Sequence, residues 1–131
     1  MPSIFTKIVN GEIPCYKVAE TDDFLAFLDI RPLAKGHTLA IPKVEVDNMF
    51  DLADELYIGL HLFAREVSRG LQKAVPCERV GTAVIGLEVP HAHVHLVPIN
   101  QISDMDMGNP RKQFSPEEME QIAADIRAQL P

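Results

Sequence analysis

From Val89 to Ile99 the chain reads VPHAHVHLVPI, and no other stretch restricts its folding as sharply. His91, His93 and His95 alternate with Ala92, Val94 and Leu96. Successive side chains of an extended strand leave opposite faces, so this period of two places three imidazoles on one face and three aliphatic groups on the other. A helix would scatter both sets around its circumference. The stretch is therefore expected to be a strand, Ala92 to Ile99, with its aliphatic face in a core and its histidine face on a site. The chain has five histidines in 131 residues, and three of them fall here; a merely polar strand face is a poor account of that concentration.

The surroundings supply the rest of a sheet. Tyr16 to Glu20 and Phe24 to Asp29 read as strands joined by a hairpin at Thr21-Asp22-Asp23, and His37 to Pro42 as a third beyond the RPLAKG loop. Arg79 to Gly86 reads as a fourth, connected by GLEVP to the histidine strand. Leu56, Leu60, Phe63, Val67 and Leu71 recur at three- and four-residue steps and predict one long helix, ended by Pro76. Ser3 precedes a short amphipathic turn or helix, IFTKIV, closed by Asn10-Gly11. Ser115-Pro116-Glu117-Glu118 is a helix start, opening a last helix with Met119, Ile122, Ile126 and Leu130 on its apolar side. Strands in hairpin order with helices between them predict an α+β fold, a mostly antiparallel sheet with one long helix and a C-terminal helix. The polar loop NQISDMDMGNPRKQ before that last helix could be a lid, an interface element or mobile.

Composition narrows the function. The length of 131 residues suits a single domain over residues 1–131, and 47% hydrophobic with 24% charged residues is an ordinary globular balance. A net charge of −7 repels a phosphate backbone and argues against nucleic acid as a partner, yet leaves room for a small phosphate ligand in a local pocket. Cys15 and Cys77 form no CxxC pair and suggest no disulfide framework. No apolar run is long enough for a membrane span and MPSIFTKIVNGEIP has no signal-peptide pattern, so a cytoplasmic protein is expected.

Alternate histidines admit two chemistries. His-x-His on a strand is a zinc arrangement, but about 3.3 Å of rise per residue sets the outer two Cα atoms ~13 Å apart, too far for one ion to take all three. Two could bind, with His37 as a third ligand. The other chemistry is phosphoryl or nucleotidyl transfer. There a neutral imidazole attacks phosphorus while its neighbours hold the phosphate oxygens, and no metal is needed. The second ring nitrogen of the attacking histidine must keep its proton, against either a backbone carbonyl or His37.

HAHVHLV, taken with IFTKIVNGEIP and FLDIRPLAKGHTLAIPK upstream, resembles the histidine triad (HIT) family and its Hint-like branch over roughly Ile4 to Ile99. The resemblance implies a HIT-like fold, a homodimer formed through the helix and a neighbouring strand, and hydrolysis or transfer at the α-phosphate of a nucleotide. It implies His93 as the nucleophile, His95 as a phosphate contact, His91 as a support of the triad and His37 as the residue backing the catalytic group. Asp29 matches a carboxylate that holds the ribose hydroxyls. Phe5, Ile8 and Ile30 match apolar walls around the base, although each could also be plain core. Gly86 and Glu88 match positions at the phosphate.

Two departures stand out. Many relatives carry Asn and a glycine-rich loop before the triad, whereas TAVIGLEVP is shorter and has no Asn. Glu88 would repel a phosphate there unless it faces solvent or is protonated. Some relatives also hold a structural zinc with two cysteines and two histidines. Here Ser3 and Thr6 stand at the cysteine positions and Glu45 at one histidine position, so no metal and no cofactor is expected.

The resulting expectation is a metal-independent nucleoside phosphoramidase or related nucleotide hydrolase, working through a nucleotidyl-histidine. Its partner would be a purine nucleotide or nucleoside phosphoramidate. The alternatives are a nucleotide-sensing protein with little turnover, or a dinucleoside polyphosphate hydrolase.

Overall fold

The computed structural model describes residues 2–131. Five strands form one antiparallel sheet. These are β1 (Lys17–Glu20), β2 (Phe24–Leu28), β3 (Thr38–Pro42), β4 (Arg79–Ala83) and β5 (Val94–Ile99), in the spatial order β1-β2-β3-β5-β4. Three helices accompany them, α1 (Ile4–Val9), α2 (Asp54–Ala74) and α3 (Pro116–Ala128). The α+β architecture with a long central and a C-terminal helix is the one expected.

β2 and β3 read FLAFL and TLAIP, and every residue of both is buried. Alternation divides their side chains between two cores. Ala26, Leu28 and Ala40 join Val94 and Leu96 of β5 beneath α2 and α3, where Leu60, Val67, Leu71, Ile122 and Ile126 meet them. Leu25, Phe27, Leu39 and Ile41 face the other way and pack on Phe5 of α1. Burial of one helical stripe is what holds α2 on the sheet, since propensity alone stabilises a helix weakly.

The helix ends follow local chemistry. Ser3 caps α1 by accepting the Thr6 amide, and Ser115 and Glu118 form a reciprocal capping box at α3 behind Pro116. Gly36 ends the loop before β3 at φ +88°, and a Cβ there would lie 2.8 Å from Leu71 Cδ1 and 3.0 Å from Val75 Cγ2. The close approach that this glycine permits is thus to α2 and its C-terminus.

The strand boundaries differ from the sequence expectation where it matters most. β5 begins at Val94 and β4 stops at Ala83. His91 and His93 therefore lie just ahead of the strand, and only His95 is within it, opposite Leu39 on β3 and Ala83 on β4. The histidine face persists through the irregular backbone because Ala92 and Val94 anchor the opposite side in the core. The Ala92 amide also donates to the Val46 carbonyl, at 2.7 Å.

Candidate active site

A cleft of about 440 Å³ opens on the α1 side of the sheet, a size suited to a small-molecule ligand. His93 and His95 line it, as do Phe5, Ile8, Asp29, Ile30, Gly86 and Glu88. His37 and His91 stand behind it, both completely buried. All ten residues singled out by sequence are thus at the cleft or directly behind it. The fifth histidine, His61, is exposed on α2.

Their hydrogen bonds determine where each proton sits. The Leu33 amide donates to His37 Nδ1 at 3.0 Å, so the proton of this neutral ring is on Nε2. His37 Nε2 is 3.0 Å from His95 Nδ1 and donates to it. His95 must then carry its own proton on Nε2. For His93, Nδ1 is 2.7 Å from the His91 carbonyl oxygen and must be the protonated nitrogen, leaving Nε2 with a free lone pair. Of the two partners expected for the His93 ring, the backbone carbonyl is the one it meets; His37 pairs with His95 instead. One ring thus presents a nucleophile and its neighbour an N–H donor, with centroids 5.0 Å apart.

Burial keeps the supporting rings neutral. It pushes His37 down to about 4, with the charge of Arg111 and then His93 adding to it. Burial likewise lowers His95 to about 4, followed by the neighbouring His93 and His37 rings, and it lowers His91 as well. Asp29 Oδ2 lies 3.7 Å from His37 Nε2, but a neutral ring makes this contact no ion pair. The other Asp29 oxygen accepts the Arg31 amide at 2.8 Å, so the carboxylate both fastens its turn and lines the cleft.

A pH dependence of stability follows. Below pH 6.5, the ordinary histidine value, the unfolded chain takes up protons that folded His37 and His95 refuse until about pH 4. Stability is therefore expected in full above pH 6.5 and to fall steadily towards pH 4. Urea midpoints between pH 7 and 4.5 check this, and His95→Asn, which removes one such proton, should flatten the decline.

The apolar residues have distinct places. Phe5 is buried and meets His93 edge-to-face at 5.1 Å and Phe27 at 5.4 Å, so it is both core and cleft wall. Ile8 is half-buried, whereas Ile30 is 75% exposed, a rim position incompatible with core. Glu88 is exposed at the mouth.

Two groups of side chains could be considered for a metal. Asp29, His37 and His95 offer donor atoms within 4.8 Å of one another. The Leu33 amide, however, occupies His37 Nδ1, so an ion on Nε2 would require an imidazolate or a broken hydrogen bond. The second group is Ser3, Thr6, Glu45 and His91, which the fold does bring together. The Ser3 hydroxyl donates to His91 Nδ1 at 2.8 Å, while the Ser3 amide and the Thr6 hydroxyl donate to Glu45 Oε1 at 2.5 and 2.6 Å. His91 Nε2 donates to the Pro42 carbonyl at 2.7 Å. The Ser3 amide, then the Thr6 hydroxyl, hold the Glu45 carboxyl below its ordinary value. Hydroxyls in place of thiolates, already engaged with one another, do not suit a structural zinc. They are a hydrogen-bonded brace that fixes the His91 ring.

Sequence reasoning passed over Arg111 and Met107, which also line the cleft. Both lie on the polar loop ahead of α3, where the basic Arg111-Lys112 pair was the one available signal in an acidic chain.

Comparison with known proteins places this geometry. The model of the HIT domain matches residues 10–102. "Adenosine 5′-monophosphoramidase hnt1" of Schizosaccharomyces pombe is 36% identical, covering 99% of both chains. Among solved structures, a Hit-like protein from Bartonella henselae superimposes with TM-score 0.84 at 31% identity, covering 98% of this chain and 96% of that one. A zinc-bound histidine triad family protein from Mycobacterium smegmatis gives 0.80 at 28% identity, with 96% and 91% covered.

Proposed function

Because the chain belongs to the HIT family, we propose that it hydrolyses nucleoside 5′-phosphoramidates at the α-phosphorus, through a nucleotidyl intermediate on His93. The observation that supports this reading above all is the hydrogen-bond arrangement of the cleft, in which the tautomer of a neutral His93 has its lone pair on Nε2, beside a His95 Nε2–H donor. The printed activity of the fission-yeast relative, an adenosine 5′-monophosphoramidase, agrees with it.

In the first step the His93 Nε2 lone pair forms a bond to phosphorus as the P–N bond to the amine breaks. The amine leaves with that electron pair and takes up a proton from solvent. His91 accepts the Nδ1–H of His93 at its carbonyl, which stabilises the cation developing on the ring. His95 donates Nε2–H to a phosphoryl oxygen as charge gathers there, and the loop at Gly86 supplies backbone donors. Water then attacks the same phosphorus, loses one proton to solvent, and returns the P–Nε2 pair to His93 as the nucleoside monophosphate departs. Asp29 holds the ribose, and Phe5, Ile8 and Ile30 border the base.

No step uses a metal, and the occupied Nδ1 of His37 supports that. Homodimerisation belongs to the same proposal. It is supported by β4, an edge strand of the sheet with no partner on its outer side among the described residues, and by exposed Ile58 and Leu62 on α2.

Incubation of the protein with adenosine 5′-phosphoramidate and excess chelator is expected to release AMP. Quenching during turnover should trap adenylate on a histidine. Tight nucleotide binding with no AMP and no adduct would replace hydrolysis with the sensing role. Activity abolished by chelator and restored by a divalent ion would overturn the metal-free mechanism.

A further inference from the structure

The connection from β5 to α3 is built, although it has little regular structure. Ile102–Met105 form a 3-10 turn, and Asp104 Oδ2 accepts the Asn100 and Gln101 amides at 2.8 and 3.1 Å. Asn109 Nδ2 donates to the Ser103 carbonyl at 2.7 Å. The Lys112 amide then donates to the Pro32 carbonyl at 2.8 Å, pinning the loop to the β2–β3 connection. Beside that pin, Arg111 Nη1 donates to the Arg31 carbonyl at 2.7 Å and Nη2 to the Met107 carbonyl at 3.2 Å.

These two bonds use two of the five N–H groups of a guanidinium and set its orientation, leaving three for a ligand. Arg111 is half-buried and lines the cleft together with His93, His95 and Asp29. It is permanently charged, whereas His37 and His95 are neutral at pH 7. Its charge is the second cause of the low His37 value, after burial. Arg31, the other cation on the cleft, is exposed at the rim.

The phosphate of a simple phosphoramidate monoester has one negative charge, and His95 Nε2–H with the Gly86 loop is available to meet it. An anchored arginine exceeds that need. A second anion on the ligand would meet Asp29 and Glu88 in the same cleft, on a protein of net charge −7. A held guanidinium offsets that repulsion and matches a carboxylate or phosphate with paired N–H bonds. We infer that Arg111 is a specificity-determining residue that receives a second anionic group, carboxylate or phosphate, on the substrate beyond the phosphorus attacked by His93. The inference rests on the nucleotide hydrolase reading above and deepens it by naming the class of leaving group, an anionic one.

The test compares kcat and KM of the wild type, Arg111→Gln and Arg111→Lys on three probes. These are the adenosine 5′-phosphoramidates of glycine, with a free carboxylate, and of glycinamide, nearly the same shape without charge, and diadenosine tetraphosphate. The wild type is expected to favour the glycine compound or the tetraphosphate over the glycinamide compound by about tenfold in kcat/KM, mostly through KM. Arg111→Gln should bring that ratio to within about threefold of one, and Arg111→Lys should keep part of it. A preference for glycine alone identifies carboxylate as the anion, and one for the tetraphosphate alone identifies phosphate. Loosening of the loop would lower all three rates together, and that outcome, or an unchanged ratio, overturns the assignment. Should the wild type cleave none of the probes, the hydrolase reading fails. Arg111 is then read from AMP and ADP affinities, where an ADP preference that survives Arg111→Gln overturns it independently.

Discussion

Replacing His93 with alanine is expected to lower AMP release from adenosine 5′-phosphoramidate by about 10³-fold or more, the scale on which removal of a covalent nucleophile acts. The expectation rests on where the His93 lone pair sits. Nδ1 is committed to the His91 carbonyl, so Nε2 is the free nitrogen, and no other ring in the cleft presents one. His95 Nδ1 is capped by His37, and His91 is enclosed between Ser3 and Pro42. A neighbouring histidine therefore cannot take over the attack without breaking one of these hydrogen bonds. Nucleotide affinity should change far less, because the walls and Asp29 remain. The ring also packs on Phe5, so thermal unfolding of the variant is needed beside the assay, and His93→Gln fills the space with a side chain unable to form the adduct. A folded His93→Ala protein with wild-type turnover would remove His93 from the mechanism.

The largest effect on stability is expected at Gly36. Gly36→Ala meets two penalties, a left-handed φ of +88° and a Cβ driven against Leu71 and Val75. The first costs an ordinary residue about 1–2 kcal/mol and the second, in a packed core, about 1–3 kcal/mol. Leu71 is fully buried, so any shift of its side chain disturbs a packed core. A loss of about 2–5 kcal/mol, read as a drop in Tm of roughly 8–20 °C for a domain of this size, is expected. Gly11→Ala separates the two terms. Gly11 has φ +79° with nothing near its Cβ position, so it should lose only the backbone part. Equal losses at the two sites would refute the packing argument. Gly36 immediately precedes His37, whose carbonyl accepts the Asp29 amide at 3.0 Å, so residual activity should fall along with stability.

Much of this molecule could be read from its residues, for reasons that also mark the limits of such reading. The α2 stripe and the alternation around His95 are periodic patterns imposed by burial, and the caps at Ser3 and Ser115 use short side chains acting over three residues. What escaped was relational. His37 and His95 are 58 positions apart and Ser3 and His91 are 88 apart; no local pattern announces that such rings and hydroxyls will share protons. Arg111 escaped for the same reason, being carried to Arg31 by the docking of a loop whose own sequence looks like a linker. The start of β5 was placed two residues early because alternation continues through His91 and Ala92 while pairing with the neighbouring strands does not.

That late start has a bearing on engineering. Inside a sheet, backbone carbonyls are consumed by neighbouring strands. Pairing here stops at Val94, one residue beyond His93, and the His91 carbonyl remains free to receive the imidazole proton. A designer seeking a hardier protein by zipping β3 and β5 further towards His91 would recruit that oxygen into the new ladder. The imidazole could then settle in its other tautomer, with the lone pair turned away from the cleft. The frayed beginning of this strand is in that sense a reserved vacancy, and hardiness gained by filling it would be taken from the chemistry.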